Sequence, residues 1–371
     1  MRPKTEKPRV LCFTETYPEF SETYMHEEFA ALGADYEIQV LTLHHSQFPR
    51  ANSLPYIQLL YPDEHLSYGN FDRVNLDFTN RKQQKFLAKL DSVLDQFQPH
   101  IMHAHYLYLA WLLSHVSARR GIPWTMRTHS FDMLEKNEAR RNAGIDALKS
   151  PDCKGVFVFP EFEHEVLSRG VPRQRVHTAW PVIRLSRFYN EAPREPTRKV
   201  MCAGPCIAKK AHNAYVDLAK KMEGTGYQFS LYTKGYFAEE VAEYNRSQGS
   251  PVSIQFAEPE TMSNVYRDYD WIVYTSDPEI NRVGLPASVV EAQASGIGVC
   301  LQELPGRRQA QLDFLGGGGF VFESIDDVPG IITQPYPEEM RRRGLEASKR
   351  CDVRQHKLML DQVWAPLLSA R

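Results

Sequence analysis

The stretch Trp271–Gly296, WIVYTSDPEINRVGLPASVVEAQASG, carries the densest chemistry in the chain. An apolar strand gives way to a polar loop, and Gly284-Leu285-Pro286 then opens a helix. Pro286 is expected at the first helical position, where its missing N–H costs nothing. The free N–H groups behind it suit an anion such as a diphosphate. Glu291, further into the helix, places a carboxylate where it can accept the two hydroxyls of a ribose. The same residues also read as an ordinary strand–helix unit with a surface Glu.

A second stretch, Ala203-Gly204-Pro205-Cys206-Ile207-Ala208-Lys209-Lys210, puts a glycine at a strand end with two lysines behind it. Lys209 and Lys210 can neutralise a diphosphate, or form a solvated surface pair. Near the start, Ser21 or Thr23 can cap the helix that follows Tyr17-Pro18-Glu19-Phe20. His129 and Asp132 follow the strand Pro123–Thr128, as structural groups or as ligand contacts. His103 and His105 alternate along another strand and so share a face, as a metal pair would. With no third ligand at a suitable spacing, no metal is expected. His44-His45 is a weaker pair of the same kind.

These residues need elements to hold them, and the chain supplies a repeated grammar of short apolar runs and helical patterns. That alternation predicts an α/β chain with parallel sheets. Strands are expected at Val10–Thr14, Ile38–Leu43, His100–His105, Pro123–Thr128, Val156–Phe159 and Arg175–Thr178. Helices are expected at Glu22–Leu32, Gln83–Phe97 and Tyr108–Arg119. His44–Asn80 is expected to be loops on a binding face. The pattern restarts with strands at Lys199–Ala203, Phe229–Tyr232, Ser253–Phe256, Trp271–Tyr274, Val299–Leu301 and Phe320–Phe322, and helices at Ala211–Lys221 and Pro286–Ala294. In such sheets ligands sit at the carboxyl ends of the strands, where the four stretches lie.

The domain reading is 1–182, a linker at 183–198, 199–355, and a returning C-terminal helix at 356–371. A chain of 371 residues suits two domains at ~100–200 residues each. The net charge of −2 gives no global sign of a nucleic-acid partner. No run approaches the ~18 apolar residues of a membrane span, and the N-terminus lacks the apolar core of a signal peptide. The six scattered cysteines read as reduced, buried thiols.

Taken together and in order, the four stretches resemble the retaining glycosyltransferases of family 4, of GT-B type. Gly284, Leu285, Pro286 and Glu291 match that family's donor-binding signature, with Val283 in place of its first Glu; Asp277 or Glu279 can substitute from the same loop. Lys209 and Lys210 match its lysine region, with Pro205 in place of its Arg. Tyr17–Tyr24 is similar to its Pro-x-x-Ser-Glu-Thr-Phe loop, and Arg127–Asp132 to its Thr-x-His-Gly-x-Asp. The resemblance implies two Rossmann-like domains facing across a cleft. It implies Gly204, Lys209, Lys210, Gly284, Leu285, Pro286, Ser288 and Glu291 at a nucleotide-sugar donor. It implies Ser21, Glu22, Thr23, His105, Tyr106 and Asp132 at the acceptor, and His129 with Glu279 at the chemistry.

The implied reaction is retaining sugar transfer to a glycan, a lipid-linked glycan or a small molecule, with no cofactor or metal. A cytoplasmic location follows, with peripheral contact at the inner face of the membrane left open. Two alternatives stand beside it. One is a degenerate transferase-like module, marked by Val283 and Pro205, that binds nucleotide-sugar or glycan without turnover. The other is a sugar-nucleotide epimerase on the same fold.

Overall fold

The computed structural model describes residues 6–59, 81–193, 195–282 and 284–369. Val283 and the part of the expected loop region from 60 to 80 lie outside the described residues. The chain divides into two compact units. The first runs to Trp180 and takes back the residues from His356 onward; the second is Pro181–Gln355.

The first unit is built on a parallel sheet of order β3-β2-β1-β4-β5-β6-β7. Its strands are β1 (Arg9–Tyr17), β2 (Glu37–His45), β3 (Tyr56–Gln58), β4 (Ile101–His105), β5 (Trp124–Arg127), β6 (Cys153–Val158) and β7 (Val176–Thr178). Val10, Leu11, Cys12 and Phe13 are all buried, as expected of a strand covered on both faces. The strand order reverses between β1 and β4, whose residues pair from Val10↔Ile101 to Phe13↔Ala104. Segments that leave these two strands therefore meet at one crevice, which is where open sheets bind ligands.

β3 falls inside the region expected to be loops. It pairs with β2 from Val40↔Tyr56 to Thr42↔Gln58. Three residues show no readable alternation, so its sheet pairing comes from the neighbouring strand. The last helix, Val353–Ser369, completes the first unit's core. Leu360 and Trp364 are fully buried there. The Trp364 ring packs edge-on to Tyr36 at 5.3 Å, and its N–H donates to Thr125 Oγ1 at 3.2 Å.

The second unit has a parallel sheet of order β10-β9-β8-β11-β12-β13. Its strands are β8 (Lys199–Ala203), β9 (Gln228–Tyr232), β10 (Val252–Gln255), β11 (Trp271–Tyr274), β12 (Gly298–Gln302) and β13 (Phe320–Phe322). Here the order reverses between β8 and β11. Gly298 opens β12 against Trp271, where a Cβ would come 2.3 Å from the indole ring. The polar stretch 189–198 is held to this unit: the Asn190 N–H donates to the Ala294 carbonyl at 2.8 Å. The Thr197 and Arg198 N–H groups donate to the Asp270 carboxylate at 2.9 and 2.7 Å. All six cysteines are free and buried. Among the described residues no helix is long and apolar enough to cross a membrane.

Candidate functional site

In the second unit, β8 ends at Gly204, whose φ of 152° is open to glycine and strained for other residues. A short turn, Ala208–Lys210, follows, and Ala211 adopts a left-handed φ of 47° before the helix His212–Lys221. The loop leaving β11 is tied to this turn. Thr275 Oγ1 donates to the Lys210 carbonyl at 2.8 Å, and the Asp277 N–H donates to the Lys209 carbonyl at 3.1 Å. Two stretches separated by some seventy residues in the sequence are thus fixed side by side.

Lys210 is buried, with its ammonium 4.2 Å from the centre of the Tyr274 ring. No carboxylate among the described residues pairs with it. Burial pushes its pKa down to about 7, with Lys209 adding to the shift and Cys202 opposing it. The hydroxyls of Tyr274 and Ser276, at the end of β11, are buried without a hydrogen-bond partner among the described residues.

The helix Ala287–Ala294 begins one residue later than expected. Pro286 is its cap, in extended conformation, because the first helical backbone geometry belongs to Ala287. Gly284, Pro286 and Ser288 are partly exposed around this start, and Leu285 is buried beneath it. One turn in, Glu291 Oε2 accepts a hydrogen bond from the Tyr266 hydroxyl at 2.9 Å. Glu279 is exposed. Its backbone N–H and that of Ile280 are bound by the Asp277 carboxylate, at 2.8 and 3.2 Å, so Asp277 shapes the turn.

In the first unit, the crevice between β1 and β4 holds a cluster of phenols and carboxylates. Neither Ser21 nor Thr23 caps the helix Thr23–Leu32. Glu22 occupies the cap position without a side-chain capping bond. Its carboxyl turns instead to the hydroxyls of Tyr106 and, at 3.2 Å, Tyr24. Those two hydroxyls lie 2.8 Å apart. Burial pushes the Glu22 pKa up to about 8; Glu19 and Glu15 add to this, and the two tyrosine bonds oppose it. Tyr106 directly follows β4 with a φ of 77°, uncommon for a bulky residue. It is held there by its N–H bond to the Arg127 carbonyl at 2.9 Å and by its hydroxyl partners. Tyr108 stacks on Tyr106 at 5.4 Å and donates to Glu15.

Beneath this cluster His129 is buried between the rings of Tyr24 and Tyr106, at 4.8 and 4.6 Å. It caps the short helix Ser130–Met133, with its N–H bound by the Asp132 carboxylate at 2.8 Å. Asp132 is buried too and also takes the N–H of Leu107. Burial pushes its pKa up to about 7, against these backbone N–H groups.

His105 is fully buried and does not line an exposed surface. Its Nδ1 lies 3.0 Å from His129 Nε2, and its Nε2 lies 2.9 Å from Glu28 Oε1. Glu28 is the third group that the spacing of His103 and His105 does not reveal. The ligand atoms of the three come within 4.8 Å of one another.

The structure therefore brings Gly204, Lys209 and Lys210 together with the loop that leads to Pro286. It groups Glu22, Tyr106, His129 and Asp132 in the other unit. It leaves Glu279 exposed and His105 enclosed. The groups missed from sequence are Glu28, Tyr24, Tyr274 and His356; Tyr24 and Tyr274 sit in the quoted stretches, and Glu28 and His356 carry no local signal.

Residues 21–187 match the sequence model of Glycosyltransferase Family 4. Among curated protein sequences none matches. Among solved structures, sucrose-phosphate synthase from Thermosynechococcus elongatus is similar with a TM-score of 0.73 and 16% identity, over 98% of this chain and 100% of that one. HepE of Anabaena, solved in complex with UDP-glucose, is similar with a TM-score of 0.70 and 13% identity, over 98% and 100%. A TarM structure from S. aureus, solved in complex with Fondaparinux, alpha-GlcNAc-glycerol and UDP, has a TM-score of 0.66 and 11% identity, over 97% and 99%. The fold is that of GT-B glycosyltransferases, and the family resemblance read from the sequence is borne out.

Proposed function

We propose that this chain, with its GT-B fold and its likeness to Glycosyltransferase Family 4 over residues 21–187, transfers a sugar from a uridine-diphosphate donor to a hydroxyl of a glycan or lipid-linked acceptor. The observation that carries this reading is Lys210: a buried ammonium without a paired carboxylate among the described residues, at the reversal of the second sheet. Burying an unpaired cation is costly, and an anionic ligand removes the cost. HepE and TarM, whose structures hold UDP-glucose and UDP, make a uridine diphosphate the natural candidate.

As the glycosidic bond breaks, negative charge builds on the leaving diphosphate. Lys210, Lys209 and the N–H groups that open the helix Ala287–Ala294 are donors that need little rearrangement to meet that charge. Glu291 receives the ribose hydroxyls alongside its bond from Tyr266. Glu22, Tyr24 and Tyr106 receive the acceptor hydroxyl, with His129 holding the two tyrosine rings. Attack from the face the diphosphate leaves, with retention, is the stereochemistry that the likeness to Glycosyltransferase Family 4 supports.

One observation favours the second reading, binding without turnover. Glu279, the carboxylate available to replace the family's first Glu, is exposed on its loop. A thermal-shift titration with UDP, followed by UDP release from a panel of UDP-sugars, separates the two. Protection with release supports the transferase, and protection without release supports the binding module. Absence of protection by any nucleoside diphosphate would remove both.

A further inference from the structure

Glu28 is buried under the acceptor-side cluster, on the helix Thr23–Leu32, and touches no exposed surface. Burial works against its charge, yet His105, His356 and His103 hold its pKa well below the usual carboxylate range. Arg127 Nη1, 3.1 Å from Oε2, supplies the compensating positive charge. His356 Nε2 lies 2.7 Å from the same oxygen.

An ionised carboxylate only accepts hydrogen bonds. Oε1 lies 3.1 Å from His103 Nε2 and 2.9 Å from His105 Nε2, so both rings carry a proton on Nε2. The far side of His103 is compatible with this. Its Nδ1 is 2.8 Å from Thr125 Oγ1, which already accepts the Trp364 indole N–H at 3.2 Å. The indole can only donate, which leaves the hydroxyl proton free for a bare His103 Nδ1. Burial pushes the His105 pKa down to about 4, so that ring is neutral, and with its proton on Nε2 its Nδ1 is bare. Its partner at 3.0 Å, His129 Nε2, must carry the proton between them. The two ring centres lie 5.3 Å apart with an 18° tilt between the planes.

We propose that Glu28 is a positioning residue of the acceptor side. It fixes the tautomer of His105 and, through it, that of His129, whose ring supports Tyr24 and Tyr106 beside Glu22. Glu28, His103 and His105 could instead bind a divalent cation. The guanidinium beside the carboxylate and the complete hydrogen bonding of both rings favour protons over a metal.

Replacing Glu28 by Gln keeps the shape but leaves one carbonyl oxygen for donors that used two. The Arg127 guanidinium, which can only donate, keeps that oxygen, and the amide NH2 then faces His103 and His105, which shared Oε1. One ring must therefore move its proton, and a His105 protonated on Nδ1 would face the His129 N–H.

The test is nitrogen NMR of the intact protein, with histidine labelled and rings assigned by single substitutions, at pH 7. His105 and His129 should be neutral, and His103, His105 and His129 should each carry a proton on Nε2. In Glu28→Gln, His105 or His129 should shift to the other tautomer or exchange between the two. A proton on Nδ1 of His105 or of His129 in the parent protein overturns the proposal. So does a stoichiometric metal found by elemental analysis, or an unchanged spectrum in a folded Glu28→Gln.

The role in transfer rests on the proposed function. There Glu28→Gln should lower kcat about tenfold or more, as loss of an orienting partner does, while the donor KM stays within about twofold. In a His129→Ala background it should cost nothing further; an equal loss there overturns the route through His129. If no sugar is transferred at all, the transferase reading fails, and the spectra still decide the tautomer chain.

Discussion

Lys210 should take up a proton when a nucleoside diphosphate binds. Its pKa in the ligand-free protein is pushed down to about 7, chiefly by burial, from the usual lysine value of 10.5. At pH 8 such a lysine is about nine-tenths deprotonated, and at pH 7 about half. A diphosphate beside it returns the pKa toward the usual lysine range, so binding should draw in roughly 0.9 proton at pH 8 and roughly 0.5 at pH 7. Calorimetric titration with UDP in buffers of different ionisation heats measures this uptake directly. Lys210→Met should abolish it and weaken binding.

The same substitution should stabilise the ligand-free protein. The folded state binds fewer protons than the unfolded one between pH 7 and pH 10.5, so this group makes stability rise with pH across that window. At pH 7 the penalty is at most roughly 4 kcal/mol, which Met would relieve. A variant that is less stable without ligand, or a parent that binds UDP with no proton uptake at pH 8, would refute the reasoning.

Two further outcomes follow from other sites. Glu22, pushed up to about 8 by burial, must lose its proton to accept an acceptor hydroxyl. The transfer rate should therefore climb through that pH, and Glu22→Gln should flatten the climb; an unchanged pH profile in the variant would dismiss the role. Trp364→Ala removes a fully buried ring and its bond to Thr125, at a cost of about 3–5 kcal/mol. Hydrogen exchange should then speed up in β1, β4 and β5 of the first unit and not in the second, whereas a uniform increase would contradict the division into units.

What could be read from the sequence was whatever a strand and its following loop carry together. β8 with Gly204 and Lys210, β11 with Glu291, and β5 with His129 are each a contiguous run, so local pattern places them. Glu28 was not readable, because its partners lie 75 and 77 residues away on another element. His356 meets Arg127 across 229 residues. Nothing in local spacing records such meetings, which is why His103 and His105 lacked a visible third partner. Tyr106 and Asp132 were singled out, but their partners decided their roles: Asp132 binds backbone N–H groups, and Tyr106 holds Glu22.

The return of the last helix to the first unit has a consequence for the order of synthesis. His356, Leu360 and Trp364 are translated only after the whole of the second unit, yet they fill the core around Glu28, Thr125 and Tyr36. A nascent first unit on the ribosome therefore waits with an open seam and an unfinished buried ion cluster while Pro181–Gln355 emerges and folds. Chaperone capture should target that seam, and it should end when the tail clears the exit tunnel.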